Sequence, residues 1–315
     1  MRRMCRHIAG LLTALLGLAI GPALADKAQY LDMARRGWSY ELRSTMVGRD
    51  MSIPVHINGR DLKGAQICLV GELPTEGSRA VLGAFRALLE HVHGVPVPLH
   101  EAGADISACG PGRNVILRLY SGPPPNRALG RDLAWMDRVY ELGLPSRHVW
   151  AASSPAMAQT FFGRKGSGTH VMVQQAAPGG AGPLDQEYFR SLLVEELFQT
   201  FTFGMDILHL DAQVPFLSKL EENPLRLRHA AWGSSGFKSA MLSSNPPALC
   251  AFDIFMLHAV ARAPVDETTA PDFLTYIDAE FAPLQALTEA TMGEPRFAPV
   301  LDPACAPREA AKLRQ

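Results

Sequence analysis

Two adjacent glutamates, Glu195 and Glu196, lie in a segment that otherwise reads as a buried helix, SLLVEELFQTFTFGMD at 191–206. An α-helix turns by about 100° per residue, which places Glu196 on the apolar face with Leu193 and Thr200. An isolated ionised carboxylate there is very costly, so Glu196 must be paired, protonated or facing a cleft. In a cleft it would serve as a general base. In a closed core it would be a structural group satisfied by an arginine, a histidine or a backbone amide, and the sequence leaves both roles open.

The spacing of these residues matches part of a zinc-peptidase motif. Peptidases of the zincin type carry H-E-x-x-H on a helix, in which two histidines bind the metal and the glutamate activates its water. In EELFQ, 195–199, Glu196 takes the glutamate position, while Glu195 and Gln199 take the histidine positions. A neutral glutamine amide is a poor zinc ligand, and no H-E-x-x-H occurs elsewhere in the sequence. We therefore predict no metal and no other cofactor at this helix.

The segment VEELFQTFTFGMD resembles the central segment of a family of uncharacterised exported proteobacterial proteins, the domain of unknown function 2927, which tends to read E-E-L-T-Q-A-L-G-L-x-N-D. The matching positions are Glu195, Glu196, Leu197, Gln199 and Asp206, while Thr202 stands where the family has glycine. The later segment CAFDIFMLHAVA, 250–261, is similar to the family's general layout. The resemblance implies a zincin-like fold with a degenerate metal motif, a cleft position for Glu196 and no established activity.

Three other side chains are candidates for the neighbourhood of Glu196. Asp206 follows the helix and either fixes the turn there or lines the cleft. His170 lies on a strand that precedes the helix, so in a zincin-like fold it could face Glu196; otherwise it is an ordinary half-exposed strand residue. His209 follows the helix at the place from which a third metal ligand could come, but the first two ligands are missing.

The N-terminus predicts export. Three arginines at positions 2, 3 and 6 precede an apolar run, Ile8 to Ile20, and Ala23-Leu24-Ala25 offers a small-x-small cleavage pattern. We therefore predict a signal peptide over residues 1–25, a periplasmic or secreted location, and no membrane anchor after cleavage. The formal net charge is −1, and loss of three arginines makes it more negative still, so we expect no nucleic-acid partner.

Four cysteines remain after the predicted signal peptide. An even number in an exported chain indicates disulfides, and four cysteines allow three pairings. Short loop closure favours Cys68 with Cys109 and Cys250 with Cys305, because each pair stays within its own half of the chain. Metal binding by these residues is the alternative, although the sequence contains no C-x-x-C.

The order of elements predicts an α+β fold. Strands are expected at 53–57, 65–71, 114–120, 147–153 and 169–175, with one long helix at 77–93. A central helix at 184–203 and a mainly helical C-terminal half complete the prediction of a zincin-like domain with a mixed sheet in its N-terminal half. We expect this single domain to cover residues 26–300 and residues 301–315 to form a poorly ordered tail.

These observations favour a non-catalytic protein whose cleft beside the Glu196 helix binds a peptide or an envelope protein. The site residues would be Glu195, Gln199, Asp206 and His170. The alternative is a peptidase-like hydrolase in which Glu196 acts as the general base with non-standard ligands.

Overall fold

The computed structural model describes residues 27–40, 52–53, 55–112, 114–145, 149–177, 179, 182–211, 213–224 and 230–308. The predicted signal peptide lies outside these residues. Within the described ranges, no helix combines the length and the apolar character that crossing a membrane requires.

Five strands form one mixed sheet. They are β1 (Gln66–Gly71), β2 (Leu99–Gly103), β3 (Asn114–Tyr120), β4 (Ala156–Gly163) and β5 (Gly166–Gln174). Their order is β2-β1-β3-β5-β4, and every neighbouring pair is parallel except β4 with β5, which form an antiparallel hairpin at one edge. The predicted α+β class with a mixed sheet is confirmed.

Helices cover both faces of the sheet, so β3 is buried along its whole length. On one face, Ile116 and Met172 pack with α3 (Asn126–Tyr140). On the other, Leu117 and Val171 belong to the larger core, which includes residues of α2 (Glu76–His93) and the central helix α4 (Pro183–Thr202). Alternate residues of one strand therefore serve two different cores.

The remaining helices complete the larger core and support the end of α4. They are α1 (Lys27–Trp38), α5 (Ser235–Leu242), α6 (Ala251–Arg262), α7 (Pro271–Ala279) and α8 (Phe281–Met292), with short 3-10 helices at Gly59–Leu62, Ile106–Cys109 and Pro295–Val300. A two-stranded parallel ladder joins β6 (Ile207–Leu208) to β7 (Glu221–Glu222).

Two of the expected strands are wrong. The described residues at 53 and 55–57 form no strand, and Pro54 removes a ladder donor in that stretch. Residues 149–153 are irregular as well, and the edge strand begins later, at Ala156. The β4–β5 turn passes so close to α3 that a Cβ on Gly163 would lie 2.0 Å from the Tyr140 carbonyl oxygen, which explains the glycine.

Both predicted disulfides are present, Cys68–Cys109 and Cys250–Cys305. The second one lies in the segment 301–315 that was expected to form a poorly ordered tail, of which residues 301–308 are described and 309–315 lie outside the described residues. Leu249 pairs with Leu301 in a β-bridge, and the Arg308 guanidinium lies 2.5 Å from the Glu187 carboxylate of α4. Residues 301–308 therefore pack against the body of the protein.

Candidate functional site

Helix α4 carries the candidate site and agrees closely with the predicted helix at 184–203. Pro183 stands in its first turn, and Phe203 ends it in a left-handed conformation with φ of 56°. Two aromatic residues bond to backbone carbonyls at this end: Trp38 Nε1 donates to Thr202 O at 2.9 Å, and Tyr40 Oη donates to Phe203 O at 2.9 Å. Two of the carbonyls that a helix leaves unpaired at its end are thus satisfied here.

Glu196 points inward, as the helical period predicts. The residue is 8 % exposed, and its Oε2 has no hydrogen-bond partner among the described residues. Burial, followed by the negative charges of Glu195 and Asp206, raises the pKa of Glu196 well above its usual value. Burial therefore favours the neutral form of this carboxyl group, and no arginine or histidine among the described residues bonds to it.

Glu195 is held by a buried ammonium group. Lys219 is fully buried, and its Nζ lies 2.5 Å from Glu195 Oε2. The same Nζ donates to Ser191 Oγ at 3.1 Å, and Asn245 Nδ2 donates to Glu195 Oε2 at 2.9 Å. The residue in the first histidine position of the zincin motif thus bonds to a protein cation.

Asp253, in the first turn of α6, positions Lys219. Its Oδ2 accepts the Lys219 backbone N–H at 2.8 Å, and its Oδ1 accepts the Ser218 hydroxyl at 2.6 Å. The Cys250 N–H donates to the same carboxylate at 2.7 Å. Asp253 therefore ties the loop that carries Lys219 to the start of α6, and this holds the lysine side chain opposite α4.

Two further carboxylates lie beside Glu195. Gln199, in the second histidine position, donates a hydrogen bond from Nε2 to Asp206 Oδ1, and Glu222 approaches from β7. Ligand oxygens of Glu195, Asp206 and Glu222 all lie within 4.8 Å of one another. Such an all-oxygen set would suit Ca²⁺ or Mg²⁺ better than Zn²⁺, but Lys219 already bonds to one of the three.

Burial and the neighbouring negative charges raise the pKa values of two of these carboxyl groups. Desolvation and the Glu195 charge raise the pKa of Asp206 to about 6. The same two causes, in the same order, raise the pKa of Glu222 to about 7. We call Glu195, Asp206 and Glu222 the acidic cluster.

Large apolar side chains project into solvent from the segment that carries Asp206. Met205 is 50 % exposed, Leu208 59 %, Leu210 78 % and Val214 47 %. Leu208 is paired in register with Glu222 in the β6–β7 ladder, so an exposed apolar residue and an acidic residue lie side by side on neighbouring strands. We call these four side chains, together with the acidic cluster, the acidic–apolar surface.

The expected place of His170 beside Glu196 is wrong. His170 is 1 % exposed, and its Nε2 lies 2.9 Å from Asp132 Oδ2 on α3. Burial alone would raise the pKa of Asp132, but hydrogen bonds from His170 and Arg118 hold it below its usual value. The reason is strand parity: His170 and Met172 share the α3 face of β5, whereas α4 packs against the face that carries Val171.

His209 has a structural role as well. Its Nδ1 lies 3.0 Å from Glu221 Oε1, its Nε2 lies 3.0 Å from the Val214 carbonyl oxygen, and its ring stacks on Phe216 with centroids 4.0 Å apart. Both ring nitrogens therefore have protein partners. The histidine holds the loop that presents the exposed apolar residues.

Sequence reasoning missed Lys219, Glu222 and Asn245. The segment FLSKLEEN, 216–223, lies in a stretch without a regular helical or strand period. One signal was available: a carboxylate predicted beside an apolar helix face needs a cation from elsewhere in the chain. That requirement does not identify which of the many lysines and arginines supplies it.

Comparison with known proteins adds no relative whose chemistry could be transferred. No family model, no curated protein and no solved structure matches this chain.

Proposed function

We propose that this chain is an exported, non-catalytic domain of zincin-like architecture that binds a peptide segment of an envelope protein. The segment would present a basic side chain to the acidic cluster and apolar side chains to the rest of the acidic–apolar surface. One observation carries the proposal: the helix positions that hold metal in a zincin carry Glu195 and Gln199, which bond to Lys219 and Asp206.

The architecture is supported by the order of elements. A mixed sheet precedes the central helix, that helix packs against one face of the sheet, and Glu196 points inward from it. Two disulfides among the described residues support export, because such bonds persist in oxidising compartments.

The state of Glu196 favours binding over catalysis. A general base must be ionised at the working pH and within reach of a water or substrate proton. Glu196 is buried, and burial favours its neutral form. A carboxyl group whose neutral form is favoured is a poorer proton acceptor, and neither histidine of the zincin motif is present beside it.

The ligand class follows from charge and exposure. Among the described residues, three carboxylates lie close together, Lys219 bonds to one of them, and Asp206 is exposed to solvent. A lysine or arginine side chain of the ligand would offer this cluster further compensating charge and hydrogen bonds. Exposed apolar side chains beside such a charge are typical of protein–protein contact sites.

The test is binding of synthetic peptides that carry one lysine between leucines, compared with the same peptides carrying glutamate instead. We expect the lysine peptides to bind and the double variant Asp206→Asn/Glu222→Gln to weaken binding at least tenfold. Glu101→Gln, which removes an exposed carboxylate from β2, is the matched control and should leave affinity unchanged. Equal binding of glutamate and lysine peptides, or full affinity in the double variant, would contradict the proposal.

A hydrolase is the second candidate, favoured by the unpartnered Oε2 of Glu196. It requires turnover of a peptide or cell-wall substrate that Glu196→Gln abolishes while the protein remains folded. We expect instead that Glu196→Gln leaves both the thermal midpoint and the peptide affinity near wild type, because burial already favours the neutral form of this carboxyl group and the amide has a similar shape. Wild-type turnover of any substrate in such a panel, lost in this variant, would favour the enzyme.

A further inference from the structure

A cavity of about 990 Å³ lies between the first turns of α2 and the N-terminal half of α4. Residues that follow β1 and β5 also line it, so it lies at the carboxyl ends of these strands. From there β1 leads into α2 in the larger core, whereas its neighbour β3 leads into α3 on the other face of the sheet. Ligands of open α/β sheets bind where the connections of neighbouring strands diverge in this way, so the fold favours this cavity as a ligand site.

The inner wall of the cavity is apolar. Val81 of α2 and Leu193 of α4 line it, and both belong to the larger core. Phe189, which is half-buried, and Pro183 extend the apolar wall along α4. The stretch of α4 that lines the cavity, from Pro183 to Leu193, is roughly 15 Å long. The cavity therefore offers an elongated apolar surface to a ligand.

Arg190 brings a cation to this apolar wall. It lines the cavity and lies one turn before Leu193 on the same side of α4. Its Nε donates to Pro299 O at 2.7 Å and its Nη2 to Leu301 O at 3.1 Å, and it forms no ion pair with any described residue. Carbonyl oxygens satisfy N–H groups without neutralising a guanidinium, which has five donors and stays charged. A carboxylate ligand would supply both the opposite charge and acceptors for the other N–H groups.

Two glutamates also line the cavity, but neither bonds to Arg190. Glu187 accepts a hydrogen bond from Arg308 Nε at 2.5 Å. Glu76 is exposed in the first turn of α2, where the helix dipole favours its negative charge. Burial lowers the pKa of Arg190 more than the Glu187 and Asp302 charges raise it. The described carboxylates therefore do not compensate for the desolvation of this guanidinium.

We propose that this cavity binds a fatty-acid ligand, a single unbranched acyl chain that ends in a carboxylate. The carboxylate accepts hydrogen bonds from Arg190, and the chain lies against Val81, Phe189 and Leu193. Burial of the chain drives binding, while the charge of Arg190 selects the head group. The volume of about 990 Å³ falls at the upper end of the range for small-ligand sites.

This site is separate from the acidic–apolar surface, although both use α4. Glu195 lies five residues after Arg190, which turns its side chain by about 140° around the helix axis. Lys219, which bonds to Glu195, is not among the residues that line the cavity. Failure of the peptide-binding function would therefore leave the fatty-acid site intact.

The experiment is isothermal titration of the full-length mature protein with dodecanoate, below the concentration at which it forms micelles. Two further probes separate the parts of the ligand: dodecyltrimethylammonium has the same chain with the opposite charge, and butyrate has the carboxylate with a much shorter chain. We expect dodecanoate to bind at least tenfold more tightly than either probe. Arg190→Met should weaken dodecanoate binding at least tenfold, because it removes the charge that selects the carboxylate.

Two glycines of α2 provide a matched pair of variants. A Cβ on Gly77 or on Gly83 would meet no heavy atom within 4 Å, so both positions have room for a larger side chain. Gly77 lines the cavity, whereas Gly83 does not. Gly77→Leu should fill part of the cavity and weaken dodecanoate binding at least fivefold, and Gly83→Leu should leave the affinity unchanged. This pair remains informative even where Arg190→Met does not fold.

One more control separates this site from the acidic cluster: Asp206→Asn/Glu222→Gln should bind dodecanoate as wild type does. No binding of dodecanoate by wild type, equal affinity for dodecanoate and either probe, or full affinity in Gly77→Leu would overturn the proposal.

Discussion

At the scale of single residues, Lys219 sets the charge balance of the central helix. A fully buried ammonium group persists only when carboxylates and other acceptors replace its water, and here Glu195 and Ser191 do so. The ion pair is itself partly shielded, because the Glu195 side chain is only 15 % exposed. Each partner therefore depends on the other more strongly than in a surface pair.

We predict that Lys219→Met destabilises the protein by about 3–5 kcal/mol, because it leaves Glu195 charged and unpaired at a mostly buried position. Lys165→Met is the matched control: that lysine also pairs with a glutamate, Glu141, but the two side chains are 63 % and 43 % exposed. Its effect should stay below about 1 kcal/mol. Urea unfolding of both variants gives the comparison, and equal, small losses would show that the buried pair contributes nothing.

At the scale of elements, the site depends on the β6–β7 ladder meeting the C-terminal end of α4. The ladder brings Glu222 beside Glu195, and the turn after the helix brings Asp206. Neither strand exceeds two residues, so neither has a periodic pattern that sequence could reveal. The central helix, with its long apolar period, could be predicted nearly to the residue, while the ladder that completes the site could not.

The close approach of Asp206 and Glu222 to Glu195 predicts that the free energy of unfolding falls as pH rises. The pKa of Asp206 is raised to about 6 and that of Glu222 to about 7, so the folded protein retains protons that the unfolded chain has already released. The contribution to stability is present in full below the unfolded values near pH 4 and is lost as pH rises through 6 and 7.

We expect Asp206→Asn/Glu222→Gln to match wild type near pH 4 and to exceed it at pH 8 by on the order of 1 kcal/mol, a value discounted for the exposure of Asp206. Urea titrations at both pH values measure the difference. A variant that is less stable than wild type at pH 8 would mean that the two charges are net stabilising through Lys219.

At the scale of the whole molecule, prediction from sequence succeeded where one rule governs a long segment. The α+β class, the central helix and both disulfides followed from period and from loop closure. Prediction failed where the outcome depends on residues distant in sequence. His170 faces Asp132 rather than Glu196 because alternate residues of β5 point to opposite faces of the sheet, and the sequence does not show which face packs against α4. The sequence prediction also assigns no element to the α3 helix, which supplies Asp132 and follows a run of prolines.

The C-terminal segment that follows Val300 contacts residues much earlier in the chain. Its ties include the disulfide to Cys250, the bridge to Leu249, and the bonds of Arg308 to Glu187 and to the Leu242 carbonyl. Because its sequence is rich in proline and alanine, this segment would be an obvious choice for truncation before crystallisation. A chain that ends at Val300 would lose Cys305 and leave Cys250 as a free thiol at the start of α6. The Cys250 N–H bonds to the Asp253 carboxylate that also holds the Lys219 backbone, so this truncation at the surface would disturb the buried Lys219 site.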